Sequence, residues 1–191
     1  MCRTTFIPIA MLAGSLLTNP AAAQWTNPFP TLPATKLEAF DTNVEVVILK
    51  ATTDAGSING STGVISVKCK EITDTSTAHK EQGIALEIVQ AGQRKDTMLI
   101  DYDEIGSLVS AIDYISRLEV SATPLNSFDA AYTTKGGFRI AALGTRSTGL
   151  IQFGVRDARI GSIPVVFSRD EMARLSVLIN QAKATLDTLR N

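Results

Sequence analysis

The sequence predicts an α+β domain, an antiparallel sheet or pair of sheets carrying two helices, and three observations predict it. Apolar side chains alternate with period two in short runs between Val44 and Tyr102. The period then changes to about 3.6 over Ile105–Ile115, the spacing of one helix face. The same succession, alternation and then a helix, recurs between Phe128 and Leu189.

Each element follows from its own pattern. Val44, Val46 and Ile48 interleave with Glu45, Val47 and Leu49, which reads as a first strand buried on both faces. Ser57–Thr62 (SINGST) holds Asn59-Gly60, a hairpin turn signal. Ile65, Val67 and Cys69 face one way and Ser66, Lys68 and Lys70 the other, as in a half-exposed strand. A polar loop with His79 follows. Ile84, Leu86 and Ile88 then form a third strand, Gln90–Arg94 turns the chain, and Met98, Ile100 and Tyr102 form a fourth. Ile105, Leu108, Ile112 and Ile115 share a helical face, and Asp101 three residues ahead of Glu104 has the spacing of a capping pair.

The second half repeats this order. Phe128, Ala130 and Tyr132 lead to a Lys135-Gly136-Gly137 turn and return through Phe138, Ile140 and Ala142. Ile151, Phe153 and Val155 make another strand, and Ile163, Val165 and Phe167 the last. Ser168-x-x-Glu171 is a capping box, followed by Met172, Leu175, Ile179, Ala182, Leu186 and Leu189 at helical spacing. Such a stripe packs on a sheet; at fewer than three heptads a coiled-coil partner is the minor reading. Four strands and a helix, twice, is the pattern of a duplicated β4α unit. Superposing Asp103-Glu104 on Asp170-Glu171 brings Leu108 and Ile112 onto Leu175 and Ile179.

The chain start reads as an export signal. Arg3 precedes an uncharged apolar stretch, Phe6–Leu17, and Ala21-Ala22-Ala23 supplies a small-residue cleavage site, with the cut expected between Ala23 and Gln24. The stretch is too short for a membrane span, which needs about 20 apolar residues. The expected organisation is a signal peptide over 1–23, a proline-rich linker over 24–36 and a single α+β domain over 37–191, in the periplasm or outside the cell. Removing Arg3 with the leader takes the formal charge from −1 to −2, a balance that offers no long-range attraction to nucleic acid. No transmembrane segment is expected in the mature chain.

The residues of catalysis are scarce. His79 is the sole histidine and Cys69 the sole cysteine after cleavage, so neither a zinc site nor an internal disulfide is expected. Cys69 falls on the apolar side of its strand and reads as a core residue. His79 lies in a polar loop and reads as a surface residue. Asp101, Asp103 and Glu104 are the nearest approach to a calcium loop and read as helix capping instead. Sequence fingerprints for a nucleophile elbow, a phosphate loop or a dinucleotide site are absent. No metal, catalytic residue or cofactor is expected. Polar residues concentrate at two element ends, Tyr102 with Asp103 and Tyr132 with Lys135, and would line a ligand pocket if the fold brings them together.

Two resemblances follow from these residues. Asp101–Ile115 (DYDEIGSLVSAIDYI) with Tyr132-Thr133-Thr134-Lys135-Gly136 resembles a pattern of uncharacterised bacterial secreted proteins, over the middle of the chain only, and no activity carries over from that resemblance. The order β4-α-β4-α resembles the Whirly and PUR groups of single-stranded nucleic-acid binders, over most of the domain but without a Whirly motif. Such binders use a positive groove and aromatic platforms, whereas this chain is slightly negative and 6% aromatic. That resemblance therefore implies a fold and no function. The function expected is a non-catalytic binding or interaction module of the cell envelope, whose partner is an envelope protein or small molecule. The alternatives are a metal-independent hydrolase or isomerase using carboxylates and tyrosine, and a carrier of small hydrophobic ligands.

Overall fold

The alternating segments form two four-stranded antiparallel sheets, each a simple meander. The computed structural model describes residues 33–90 and 95–190. The N-terminal sheet comprises β1 (Ile48–Gly60), β2 (Gly63–Asp74), β3 (Lys80–Gln90) and β4 (Lys95–Asp101). The C-terminal sheet comprises β5 (Ser127–Thr133), β6 (Phe138–Thr145), β7 (Leu150–Asp157) and β8 (Val165–Phe167). A short helix α1 (Lys36–Asp41) precedes β1. A 3-10 turn (Tyr102–Glu104) leads from β4 into helix α2 (Ile105–Ser116), and helix α3 (Arg169–Arg190) follows β8. The signal peptide, the Ala23–Gln24 cut and most of the linker lie outside the described residues, as does the centre of the β3–β4 turn.

The two β4α halves interlock. Helix α3, from the second half, packs on β1, β2 and β3 of the first, and α2, from the first half, packs on β5 and β6 of the second and against α3. Each hairpin tip in turn covers the last strand of the other sheet. The β1–β2 turn donates Ser61 N–H to Val166 O on β8 at 2.9 Å. The β5–β6 turn presses Gly136 onto β4, where a Cβ would stand 1.9 Å from Leu99 O. Only glycine permits that approach. One main core results, fed from both sheets and both long helices; Leu86, Ile100, Leu108, Phe138, Ile140, Leu175 and Ile179 are wholly buried in it. Burying side chains of this size stabilises by about 1.5–3 kcal/mol each.

The capping box of α3 forms as its sequence demands, with Glu171 N–H donating to Ser168 Oγ at 3.2 Å and Ser168 N–H donating to Glu171 Oε2 at 2.6 Å. Met172, Leu175, Ile179, Ala182 and Leu186 bury their stripe, while Leu189 emerges near the helix end. Cys69 is buried, its Sγ donating to Ala182 O at 3.4 Å.

Several expectations are corrected. Val44 and Val47 are exposed, and Glu45 has a positive φ of 65°, so the chain turns there and the first strand starts only at Ile48, exposed for most of its length. The hairpin reverses at Ser61-Thr62, while Asn59 pairs with Val64 inside the ladder. Tyr102 leaves β4 for the 3-10 turn. Ile163 is exposed ahead of β8. At the end of the proline-rich segment Thr35 caps α1 and Lys36 begins it. Asp101 makes no side-chain cap to the turn that follows it. It caps α1 instead: its carboxylate accepts Lys36 N–H at 2.9 Å and Leu37 N–H at 3.1 Å. Glu38 N–H donates to Thr35 Oγ1 at 3.0 Å, so the otherwise orphaned donors of α1's first turn are satisfied. That places Leu37 and Phe40 over Ile72, Ala85 and Leu99, a small second core on the outer face of the N-terminal sheet.

Candidate functional site

Alternation divides each strand of the C-terminal sheet. Phe138, Ile140 and Ala142 on β6 and Phe153 and Val155 on β7 are buried inward. The residues between them face outward, and the register aligns them in rows: Asp129, Leu143 and Gln152; Ala131, Ala141, Gly154 and Val166; Thr133, Arg139 and Arg156. Small residues along the middle row leave a depression. It forms an open hollow of about 210 Å³ with Ala141 and Gly154 in its lining, and Arg139, Arg156, Leu143, Pro164 and Val166 around them. The depression continues past Leu143 and Gln152 toward Thr148 and Leu150. Leu143 is 53% and Leu150 61% exposed, so apolar surface stands uncovered beside it.

The charges of this face are unequal. Asp129 lies 3.7 Å from Arg139, whose Nη1 also donates to Thr133 Oγ1 at 3.4 Å. Arg156 has no ion-pair partner among the described residues, so the hollow carries a net positive charge beside apolar walls. An anionic group next to an apolar side chain matches that arrangement. Arginine suits the task because its planar fork donates to a carboxylate in pairs.

The four residues singled out from sequence stand elsewhere, and the fold unites three of them. Asp103 bonds to Lys36 Nζ at 3.1 Å, and this lysine holds its carboxyl below the usual carboxylate range. Lys135, close enough to add to that effect, donates its backbone N–H to Glu104 Oε1 at 3.0 Å. Tyr132 is half-buried beside them, its hydroxyl pKa raised by burial and then by the Glu104 charge. Glu104, whose Oε2 is buried without a hydrogen-bond partner, is the hub that sequence reasoning treated only as a helix cap. Tyr102 turns away to α3: its hydroxyl donates to Asp187, Lys183 Nζ lies 3.3 Å from it, and Arg190 Cζ lies 4.1 Å above its ring. None of the four lines the hollow on the C-terminal sheet.

His79 is largely exposed, edge-on to Phe40 and 3.6 Å from Glu81. Among the described residues, no group of three or more His, Cys, Asp or Glu side chains is placed to hold a metal ion. No helix among them is long and apolar enough to cross a membrane.

No family model matches this sequence, and no curated protein matches it. Among solved structures, the chain is similar to WHY1 from Arabidopsis thaliana, at 15% identity over 70% of this chain and 89% of that one, with a TM-score of 0.33. It is similar to WHY3 from the same plant at 16% identity, over 69% and 86%, with a TM-score of 0.32. The plant transcriptional regulator PBF-2 gives 16% identity, 72% and 81%, and a TM-score of 0.30. These are distant likenesses to the Whirly fold. At such scores they carry no functional weight.

Proposed function

We propose that this chain is a non-catalytic binding module of the cell envelope, which holds an acidic, partly apolar peptide segment of a partner on the outer face of its C-terminal sheet. The carrying observation is the hollow over Ala141 and Gly154, flanked on one side by the neighbouring Arg139 and Arg156, with apolar walls and an arginine left without an ion-pair partner among the described residues. Its size suits one or two side chains, and its open mouth suits a strand or loop lying across the sheet. An aliphatic side chain would sit over Ala141 and Gly154, with carboxylates reaching Arg139 and Arg156. The export reading of residues 1–23 supports the envelope as the place where this occurs.

The hydrolase or isomerase alternative finds less support. Asp103 and Tyr102 are engaged by Lys36, Asp187 and Lys183, and Glu104 ties the β5–β6 turn to the start of α2. Those bonds describe joints between elements. A carrier of small hydrophobic ligands is disfavoured by the hollow's openness and by its arginines.

The test is binding of the pentapeptide Ac-Glu-Leu-Glu-Leu-Glu-NH2, tagged with an uncharged dye, followed by fluorescence anisotropy. The expected result is saturable binding that weakens about tenfold or more in Arg156→Glu, with no binding of the lysine counterpart Ac-Lys-Leu-Lys-Leu-Lys-NH2. Equal binding of both peptides, or an unchanged affinity in Arg139→Glu/Arg156→Glu, would refute the proposal.

A further inference from the structure

The interlocking of the halves covers only one edge of each sheet. β4 and β8 lie under the opposite hairpin tips, whereas β1 and β5 are the outer strands and make no backbone hydrogen bonds to a further strand among the described residues. An open edge presents a row of N–H and C=O groups to any strand that can align with it. β1 is the longer of the two at 13 residues, and its N-terminal half is exposed.

The side chains of β1 distinguish its edge from that of β5. Over Leu49–Asp54, Lys50, Thr52 and Asp54 share the outer face of the sheet, and Leu49, Ala51 and Thr53 share the face toward α3. An antiparallel copy of the same segment, with a two-fold axis at Thr52, sets Lys50 opposite Asp54 of the second copy and Asp54 opposite its Lys50. Two opposite-charge pairs thus arise from one symmetric register. The same operation on β5 about Ala130 sets Asp129 against Ala131 and produces none. A bulge between Asp54 and Gly56 leaves Ala55 without a partner in the β1–β2 ladder, so the regular pairing is limited to the five positions Lys50–Asp54.

We propose that two copies of this chain associate through β1, antiparallel about Thr52, joining their N-terminal sheets into one eight-stranded sheet. A lysine on an edge strand ordinarily discourages pairing; here the register supplies its counter-charge. Within one chain Lys50 pairs with Asp41, and Asp54 stands 3.6 Å from Lys68, and the Lys50 and Asp54 side chains are accessible, at 48% and 77%. A five-residue edge buries less than a standard interface, so the dimer belongs to the weak class and is measured at about 100 µM protein.

The experiment is sedimentation equilibrium of the full chain and four samples: Lys50→Asp, Asp54→Lys, their equimolar mixture, and the double variant Lys50→Asp/Asp54→Lys. Each single variant sets like charges opposite one another twice, and the expected rise in dissociation constant is about tenfold. In the mixture one chain carries aspartate at both positions and the other carries lysine at both, so both attractions return. The double variant restores them with itself, the charges exchanged. Dimers are expected for the wild type, the mixture and the double variant, and monomers for each single variant. Wild type and double variant are further expected not to form a mixed dimer, a comparison that stands even where one single variant fails to fold. A monomeric wild type, single variants that associate like the wild type, or a mixture that stays monomeric would each overturn the proposal.

Discussion

Replacing Asp101 with alanine removes the acceptor for two backbone donors at once. Lys36 N–H and Leu37 N–H reach its carboxylate at 2.9 and 3.1 Å, and Asp101 itself is 2% exposed. Hydrogen bonds to a charged group contribute about 1.5–3 kcal/mol each, but the freed end of α1 recovers part of this by meeting water. If α1 lifts, Leu37 also leaves its buried site, at a further cost of about 2 kcal/mol. A net loss of about 3 kcal/mol is expected, which for a domain of this size lowers Tm by about 6–12 °C. Asp101→Asn keeps one acceptor oxygen and is expected to lose about half as much. The assay is thermal unfolding by circular dichroism, with hydrogen exchange read at residues 36–41. Protection of α1 is expected to vanish in the alanine variant while that of β2 and α3 remains. An unchanged Tm, or exchange that rises first at α2, would refute the assignment and return Asp101 to its own following helix.

Further outcomes follow from the same packing. Gly136→Ala places a Cβ 1.9 Å from Leu99 O and is expected to cost about 1–3 kcal/mol, whereas Gly106→Ala, with nothing within 4 Å, is expected to gain about 0.5 kcal/mol; thermal melts distinguish the signs. Glu71, Asp74, Asp103 and Asp187 all have carboxyl pKa values lowered by hydrogen bonds, first from Gln82, Ser76, Lys36 and Tyr102 respectively. A depressed folded pKa contributes stability above the unfolded value, lost as pH falls through the folded one. Tm is therefore expected to hold near neutrality and to drop below about pH 4, and a rise between about pH 5 and 3 would contradict this. In a Cys2→Ser background, Cys69 is expected to react with Ellman's reagent about a hundredfold more slowly in the native protein than in urea, because burial raises its thiol pKa and blocks access.

Much of this fold is legible because burial imposes a period. The inward rows of β2, β3, β6 and β7 and the stripes of α2 and α3 show in the sequence as alternation and as three-four spacing. What escapes is set by partners distant along the chain. Asp101 has the local spacing of a cap for its own helix, yet its partners lie 65 and 64 residues earlier. The signal for α1 is present as Thr35-x-x-Glu38 followed by Phe40, but it is overshadowed by three prolines between Pro28 and Pro33. Val44 and Val47 are apolar and still exposed, since no element among the described residues crosses over them. The outward residues of the C-terminal sheet show no motif at all. Ala141 and Gly154 become a floor only through register, and among the described residues no helix covers that face, because α2 and α3 both lie on the other side of their sheets.

The most direct test is to map, by backbone amide chemical shifts, where the acidic leucine peptide contacts the protein. Perturbations concentrated at Arg139, Ala141, Gly154, Arg156 and Val166, and lost in Arg156→Glu, are the predicted result. Perturbations confined to the N-terminal sheet or to the joint around Tyr132 and Glu104 would contradict the assignment of the binding face.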